Sequence, residues 1–251
     1  MTRYLLTLEY DGSAFFGWQK QPDVCTVQGE LERVIGTILQ HPVEVQGQGR
    51  TDRGVHALGQ TAHVDVPIDV DGLSKFIYSV NQLLPDSIHV RACVPVHPEF
   101  HARFDALSRF YEYRIRIGTS VHHRLTEYQL PPSTLLRLSL LEQCAALLPG
   151  EHDFSFFSKP DPELPHAKCI IYSAEWVQNE SVYYFRIEGN RFLRNMVRRL
   201  VGTMMEVGTG GMDINQFEQA LTSPSKSVTE VSCKTAPAHG LNLLRVKYPF
   251  E

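Results

Sequence analysis

The order in which two kinds of hydrophobic periodicity alternate along the chain is the feature that most constrains the fold. Segments with apolar and polar residues in alternation are typical of half-buried strands, and segments with apolar residues at helical spacing are typical of amphipathic helices. A turn signal, Asp11-Gly12, follows the first strand, Thr26 is a helix N-cap residue, and Pro42 and Pro85 follow the two helical segments. The predicted elements of the first hundred residues are strands at 3–10, 43–48, 61–66 and 87–96 and helices at about 26–39 and 72–84. This order predicts an α+β fold, with helices packed on one face of a mainly antiparallel sheet.

The rest of the chain repeats this alternation. Its predicted elements are strands at 108–117, 169–178, 181–189 and 242–248, helices at about 134–148 and 191–207, and a short helix that begins near Asp213. The glycines Gly208, Gly210 and Gly211 end the long helix, and the intervening segments 118–133 and 149–168 are expected to be irregular. We therefore predict two similar α+β halves, residues 1–107 and 108–251, with mainly antiparallel sheets, helices on the outer faces and a central cleft between the halves.

Composition limits the class of protein. The 251 residues are 43% hydrophobic and 21% charged, as in ordinary globular proteins, and no apolar run is long enough to cross a membrane. The N-terminus alternates like a strand and lacks a signal-peptide pattern. The five cysteines are scattered and form no C-x-x-C pair, which predicts reduced thiols in a cytoplasmic protein. The net charge is −4, but residues 191–199 carry four arginines and no acid, which favours local binding of a polyanion.

One short polar segment, the loop at 49–57, has the composition of a reactive site. It places Asp52 between Arg50 and Arg53 and has glycines near both ends. Glycine-flanked polar segments usually form turns, and the positive field of two guanidinium groups favours the ionised form of a carboxylate. Such a carboxylate can act as a nucleophile or a base beside an anionic partner. The alternative is a surface loop with a local ion pair, and the nine residues alone do not decide between the two.

Motifs spread over the whole chain carry a resemblance to a known family. In order, they are Tyr10-Asp11-Gly12-x3-Phe16-Gly17-Trp18-Gln19-x-Gln21, Thr26-Val27-Gln28-x2-Leu31-Glu32, Gly49-Arg50-Thr51-Asp52-x-Gly54-Val55-His56-Ala57, Asn81-x-Leu83-Leu84-Pro85, Phe100-His101-Ala102-Arg103-Phe104, Arg109-x-Tyr111-x-Tyr113, Gly150-x-His152-Asp153-Phe154-x2-Phe157, Phe192-Leu193-x2-Met196-Val197-Arg198 and Pro237-x2-Gly240-Leu241-x-Leu243. Together they resemble the tRNA pseudouridine synthase family called TruA, from about residue 4 to residue 248. The resemblance implies the pseudouridine synthase fold.

The family isomerises uridine to pseudouridine at tRNA positions 38, 39 and 40, without a cofactor or a metal. The resemblance implies that Asp52 is the catalytic residue. Cleavage of the N1–C1′ bond builds oxocarbenium-like charge on the sugar, and a nearby carboxylate can stabilise or trap it, as in glycosidases. Two other roles stay open, attack by Asp52 on C6 of the uracil and proton abstraction at C2′.

The resemblance also implies roles for residues outside the loop. Tyr111 is expected to stack on the flipped base, and Arg198 to pair with Asp52 across the cleft. Arg50 is expected to extrude the nucleotide or bind its phosphate, and Leu243 to form an apolar wall of the uracil pocket. Candidates for phosphate contacts with tRNA are Arg103, Arg109, Arg191 and Arg194. The family forms a homodimer in which tRNA spans both subunits, and a basic groove shared by two subunits would let an acidic chain bind RNA.

The chain departs from the family pattern at a few positions. The family usually has a small residue at the position of Arg53, and this arginine is expected either to add a phosphate contact or to point into solvent. Lys168 stands near a position that is often Arg, and Tyr128-Gln129 replaces a common Tyr-Trp pair. These last two lie outside the loop and concern peripheral RNA contacts only.

Other classes of function fit the sequence less well. A metal hydrolase is disfavoured because no H-E-x-x-H motif occurs and no Cys/His set has the spacing of metal ligands. A nucleotide-binding enzyme is disfavoured because Gly208-x-Gly210-Gly211 follows a helix instead of opening one. The strongest alternative is a non-catalytic RNA-binding or RNA-chaperone protein of the same fold. It would keep the arginines but would not need a carboxylate at position 52.

Overall fold

The structure is a computed structural model that describes residues 1–67, 69, 72–162, 164–222 and 233–250. These residues form two compact units, which are described separately. One unit comprises residues 1–107 and 242–251, and the other comprises residues 108–241. The C-terminal strand, which the sequence prediction grouped with residues 108–251, therefore packs with the first unit. In each unit the described residues combine helices with a mainly antiparallel sheet, so the predicted α+β class is confirmed.

The sheet of the first unit has β3 at its centre. Its strands are β1 (Thr2–Tyr10), β2 (Val45–Gly47), β3 (His56–Val66), β4 (Ile88–Pro95) and β10 (Leu241–Lys247). β1 lies antiparallel between β4 and β3, and β2 pairs antiparallel with the far end of β3. β10 runs parallel to the start of β3, where Leu243 is the register partner of Ala57. Sequence periodicity predicted β3 only from residue 61, so the structure extends this strand back to the end of the reactive loop.

Two helices, α1 (Val27–Leu39) and α2 (Leu73–Leu83), pack together beside this sheet. Thr26 caps α1 as predicted, because its side chain accepts a hydrogen bond of 3.2 Å from the Gly29 N–H. The buried face of α1 includes Val27, Leu31, Val34 and Ile35, which are the positions that helical periodicity selects. The core of the unit thus lies between these helices and one face of the sheet.

The sheet of the second unit is built around a central antiparallel pair. Its strands are β5 (Ser108–Ile117), β6 (Tyr128–Leu130), β7 (Gly150–Asp153), β8 (Lys168–Asn179) and β9 (Val182–Gly189), in the order β6-β5-β9-β8-β7. Its helices are α3 (Leu138–Ala146), α4 (Met196–Thr209) and α5 (Ile214–Thr222), and α3 packs on β8, α4 and α5. Strands β6 and β7 lie in the two segments that were predicted to be irregular.

The start of α4 differs from the prediction. The helix was expected from Arg191, but it begins at Met196, and Asn195 before it adopts a left-handed conformation with φ 61°. Asn tolerates that conformation better than most residues do, and it cannot continue a right-handed helix there. The carbonyl of Arg194 accepts a 3.0 Å hydrogen bond from the Lys159 N–H instead of entering the helix. Arg191 and Arg194 therefore belong to the connection before α4.

Candidate active site

The loop at 49–57 joins β2 to β3, and hydrogen bonds from two glutamine side chains fix its first residues. Gln48 donates from its side chain to Gln60 Oε1 at 3.0 Å, and Gln60 Nε2 donates to the Gly49 carbonyl at 3.2 Å. The backbone N–H of Gln48 also donates to the Thr61 carbonyl. Gln48 and Gln60 are both buried, so these bonds form away from competing water. The loop therefore leaves the sheet at a fixed point.

Asp52 is the first residue of a tight turn. The backbone of this turn lies so close to residue 17 that only glycine fits at that position. The Val55 N–H donates to the Asp52 carbonyl at 3.1 Å, and Gly54 takes a positive φ of 80° inside the turn. Gly17 lies against this turn with a φ of 93°, and a Cβ there would stand 2.7 Å from the Thr51 carbonyl oxygen and 3.2 Å from the Arg53 nitrogen. The backbone of Gly17 therefore fixes the backbone on both sides of Asp52, whose side chain is half-buried.

The residues before and after the turn are tied to the segment that follows β1. The Thr51 carbonyl accepts from the Trp18 N–H at 3.1 Å, and the Thr51 hydroxyl lies 2.8 Å from the Tyr10 hydroxyl in the interior. His56 accepts a hydrogen bond at Nδ1 from the Gly12 N–H at 3.1 Å. The motif around residues 10–21 thus supports the backbone of the loop at 49–57.

Arg50 and Arg53, which flank Asp52 at similar distances along the chain, have different surroundings. Arg50 is exposed and donates through Nε to Gln19 Oε1 at 3.0 Å, and Gln19 donates in turn to the buried amide of Gln28. Arg53 is exposed and lies with its guanidinium carbon 4.0 Å from the centroid of the Phe16 ring. The structure thus gives Arg53 a specific contact, so it does not simply point into solvent.

Leu243 lies next to the loop within the same unit. It pairs in register with Ala57, the last residue of the loop, and its side chain is fully buried. Its expected part in a uracil pocket stays a prediction.

The described residues around Tyr111 form an aromatic cluster in the second unit. Tyr111 lies on β5, is 9% exposed, and meets the edge of Phe192 with ring centroids 5.2 Å apart. Tyr113, two residues later on the same face, is fully buried and donates its hydroxyl to the Pro237 carbonyl at 2.7 Å. Burial raises the pKa of the Tyr113 hydroxyl far above its usual range, so it stays a hydrogen-bond donor. Tyr113 is therefore a core residue, and Tyr111 keeps a small accessible part.

Arg198 lies in the first turn of α4 and is aimed by the segment near residue 236. Its Nε donates to the Ala236 carbonyl at 2.8 Å, and its own carbonyl accepts from the Ala236 N–H at 3.0 Å. A Cβ on Gly202 would stand 2.4 Å from the Lys234 carbonyl oxygen, so the segment packs tightly on the helix. The guanidinium is held by backbone rather than left to a flexible surface.

The four arginines predicted to contact tRNA differ in exposure. Arg103 is exposed, and its guanidinium lies 5.8 Å from the Phe104 ring centroid. Arg109 is buried and donates to the Asn190 carbonyl at 2.7 Å. Arg191 is half-buried and donates a 3.4 Å bond to the His166 carbonyl, whereas Arg194 is exposed. Their contacts with phosphate stay predictions.

Two other arginines, Arg114 and Arg116 on β5, form ion pairs inside the protein. Arg114 lies 2.8 Å from Glu112, and Arg116 lies 2.5 Å from Glu127. Both carboxylates are buried, so each guanidinium neutralises a charge that has lost its water. These two arginines serve the fold of the second unit.

Two features of the described residues concern metal proteins and membrane proteins. Within the ranges given above, no group of three or more His, Cys, Asp or Glu side chains is arranged to hold a metal ion. In the same residues no helix is both long and apolar enough to span a membrane.

His63 is buried and accepts from the Ala102 N–H at 3.2 Å, and burial lowers its pKa to about 4. This buried, hydrogen-bonded imidazole serves the packing of the first unit.

Comparison with known proteins gives one consistent result. A family model described as tRNA pseudouridine synthase matches residues 7–105 and 144–249. A Chlorobaculum tepidum protein named tRNA pseudouridine synthase A is 40% identical over 247 residues, which is 97% of this chain and 96% of that protein. Proteins of the same name from Chlorobium luteolum and Parabacteroides distasonis are 41% and 38% identical, over 99% and 100% of this chain and 96% and 98% of theirs. A chain of a solved Cbf5-Nop10-Gar1 complex gives a TM-score of 0.34 at 12% identity, over 80% of this chain and 45% of that one, too weak a likeness to inform the fold.

Proposed function

Because the chain belongs to the tRNA pseudouridine synthase family, we propose that it isomerises uridine to pseudouridine at positions 38, 39 and 40 of tRNA, with Asp52 as the catalytic nucleophile. The observation that carries this proposal is the loop itself. Its single half-buried carboxylate lies on a turn whose backbone is fixed by Gly17 and by the Thr51 carbonyl. A catalytic group needs this kind of fixed position, since small displacements of reacting atoms are costly.

The reaction needs no redox partner, because substrate and product have the same atoms. The N1–C1′ bond breaks, the uracil turns, and a C5–C1′ bond forms while the proton on C5 is lost and N1 gains one. The Asp52 carboxylate has one of three roles: it stabilises or traps C1′, it adds to C6 of the ring, or it takes a proton from C2′. All three roles need the ionised carboxylate, so they share one test.

Four further residues take the binding roles in this proposal. Tyr111 provides a stacking face for the uracil, with Phe192 against it to limit its rotation. Arg50 binds a phosphate or helps to extrude the nucleotide, and its link to Gln19 sets its direction. Arg198 serves as a substrate-binding cation, and Leu243 provides an apolar wall.

Binding of the rest of the tRNA falls to basic side chains. We assign phosphate contacts to Arg103, Arg109, Arg191 and Arg194; exposure favours Arg103 and Arg194 most, since a guanidinium in water can reach a phosphate without breaking a buried bond. A homodimer that binds one tRNA across both subunits completes the proposal. The protein acts in the cytoplasm, where scattered reduced cysteines are expected.

Substitution of Asp52 tests the catalytic assignment. Asp52→Ala and Asp52→Asn are expected to reduce pseudouridine formation in uridine-labelled tRNA to background while tRNA binding largely survives, because the carboxylate is lost but the basic side chains remain. The matched control is Asp86→Asn, which removes an exposed carboxylate elsewhere in the same unit and should leave turnover unchanged.

The result separates this function from its alternative. Turnover near the wild-type level in both Asp52 variants would reject Asp52 as the catalyst. A wild-type protein that binds tRNA but forms no pseudouridine would instead favour the non-catalytic RNA-binding protein. Mapping pseudouridine in tRNA by mass spectrometry, from cells with and without the protein, identifies the modified positions.

A further inference from the structure

Arg53 and Phe16 form an exposed cation–π pair beside Asp52. The guanidinium carbon lies 4.0 Å from the ring centroid, well within the range of a cation–π contact. Phe16 is 43% exposed, and Arg53 is exposed as well. Neither side chain is therefore part of the core.

Both members of the pair have fixed backbones. The Phe16 N–H donates to the Cys25 carbonyl at 2.9 Å, and the next residue, Gly17, packs on the backbone of Thr51, Asp52 and Arg53. Arg53 itself lies inside the turn that Asp52 opens. The position of the guanidinium relative to the Asp52 backbone is thus determined from two directions.

The edge of this guanidinium is open. Within the residues that the structure describes, no hydrogen bond or ion pair engages the N–H groups of Arg53, whereas Arg50 donates to Gln19 and Arg33 to Glu30. The contact places the guanidinium carbon over the ring face, and a guanidinium has five N–H donors that this contact does not use as hydrogen bonds. A planar cation with a free edge is suited to bidentate binding of a phosphate.

We propose that the Phe16–Arg53 pair is a binding site for a backbone phosphate of the substrate RNA, next to the uridine that is isomerised. The inference rests on the proposed function, since it requires RNA at the loop. A carboxylate alone would repel the phosphates on either side of the target nucleotide, and Arg53 offsets that repulsion one residue away. A fixed phosphate also holds the strand while a base leaves its stack.

The test measures tRNA binding over a range of salt concentrations, with steady-state kinetics on the same proteins. Arg53→Ala is expected to raise KM about tenfold, the effect of losing one charge-assisted contact, and to leave kcat within about twofold. The slope of log K against log salt should fall by about 0.7 to 0.9, as for the loss of one phosphate contact. Arg53→Lys should keep the slope but bind more weakly than the wild type, because it keeps the charge and loses the fork.

Two further variants control for charge and for the ring. Arg33→Ala removes an exposed arginine that is already paired with Glu30, and it should leave KM and the slope unchanged. Phe16→Leu keeps an apolar side chain but removes the aromatic face, so Arg53→Ala should cost only about threefold in that background, since the cation–π contact that orients the guanidinium is already absent.

Several outcomes would overturn the inference. An unchanged salt slope in Arg53→Ala, or an equal change in Arg33→Ala, would mean that Arg53 does not touch phosphate. A loss of kcat and thermal stability with KM intact would mark the pair as a clamp on the loop. If the wild type forms pseudouridine and any of these results is obtained, this inference is rejected and the proposed function stands. Failure of the wild type to bind tRNA rejects the proposed function together with it.

Discussion

Replacing Gly17 by alanine tests whether this glycine sets the position of the loop at 49–57. The substitution adds one methyl group, and it adds it 2.7 Å from the Thr51 carbonyl oxygen, 3.2 Å from the Arg53 nitrogen and 3.3 Å from the Asp52 carbonyl carbon. All three neighbours are backbone atoms, which cannot rotate away as a side chain does. The φ of 93° is also a conformation that alanine rarely adopts.

The size of the effect follows from these distances. The unusual φ costs about 1–3 kcal/mol in the folded state, which lowers stability without unfolding a typical domain. Relief of the 2.7 Å contact requires the loop to move by roughly half an ångström, and displacements of about 1 Å at a reacting group reduce rates about a hundredfold. We therefore expect Gly17→Ala to reduce the rate of pseudouridine formation by about 10- to 100-fold at saturating tRNA.

Single-turnover kinetics with labelled tRNA, together with thermal unfolding, provide the assay. Gly49→Ala is the matched control, since it lies in the same loop and a Cβ there would meet no atom within 4 Å. It should leave the rate within about twofold, as expected for a surface change away from special features. A folded Gly17→Ala protein with the wild-type rate would refute the reasoning, and so would equal losses in the two variants.

Two further predictions concern binding and pH. Arg194→Ala should weaken tRNA binding and lower its salt slope by about 0.7 to 0.9, which a salt titration measures; an unchanged slope would remove this exposed arginine from the RNA surface. The second concerns His63, whose pKa is lowered to about 4 by burial and by the nearby Arg3, so the folded protein favours the neutral ring. In the unfolded chain His63 has its ordinary pKa of about 6.5, so the unfolded state binds a proton below that pH while the folded state stays neutral down to about pH 4. The free energy of unfolding is therefore highest above pH 6.5 and falls as the pH drops toward 4. Urea unfolding from pH 7 to 4.5 should show a loss of about 2 kcal/mol that His63→Gln reduces, and equal slopes in both proteins would contradict the assignment.

The fold class and the main elements could be predicted because local chemistry determines them. Helix α1 has an N-cap at Thr26 and an apolar stripe, and Pro85 follows α2 closely. Strands β6 and β7 could not be predicted, since three or four residues are too few to show a period and their pairing comes from distant strands. The start of α4 was misplaced because apolar periodicity continues through Phe192 and Leu193, whereas the φ of Asn195 leaves no trace in such a pattern.

The candidate site divides in a similar way. The order of motifs along the chain was enough to select Asp52, Arg50, Tyr111 and Arg198 as candidates, because each lies in a recognisable local pattern. The supports of the loop involve residues more than thirty positions apart, such as Gly17 with Thr51 and Tyr10 with Thr51. A glycine that faces a distant carbonyl looks in sequence like any glycine of a turn, so only the structure shows its role.

The two arginines beside Asp52 show why composition alone could not assign the loop. Both carry one positive charge next to the same carboxylate, and a sequence argument treats them as interchangeable sources of a positive field. In the structure Arg50 donates to the side-chain amide of Gln19. The guanidinium carbon of Arg53 instead lies over the Phe16 ring, and no described residue accepts a hydrogen bond from its N–H groups. The two arginines therefore differ in how many N–H donors are left for a ligand, and their partners set that number. These partners, Gln19 and Phe16, stand three residues apart on the segment that supports the loop. The same segment therefore fixes the carboxylate through Gly17 and sets what each neighbouring cation can still bind.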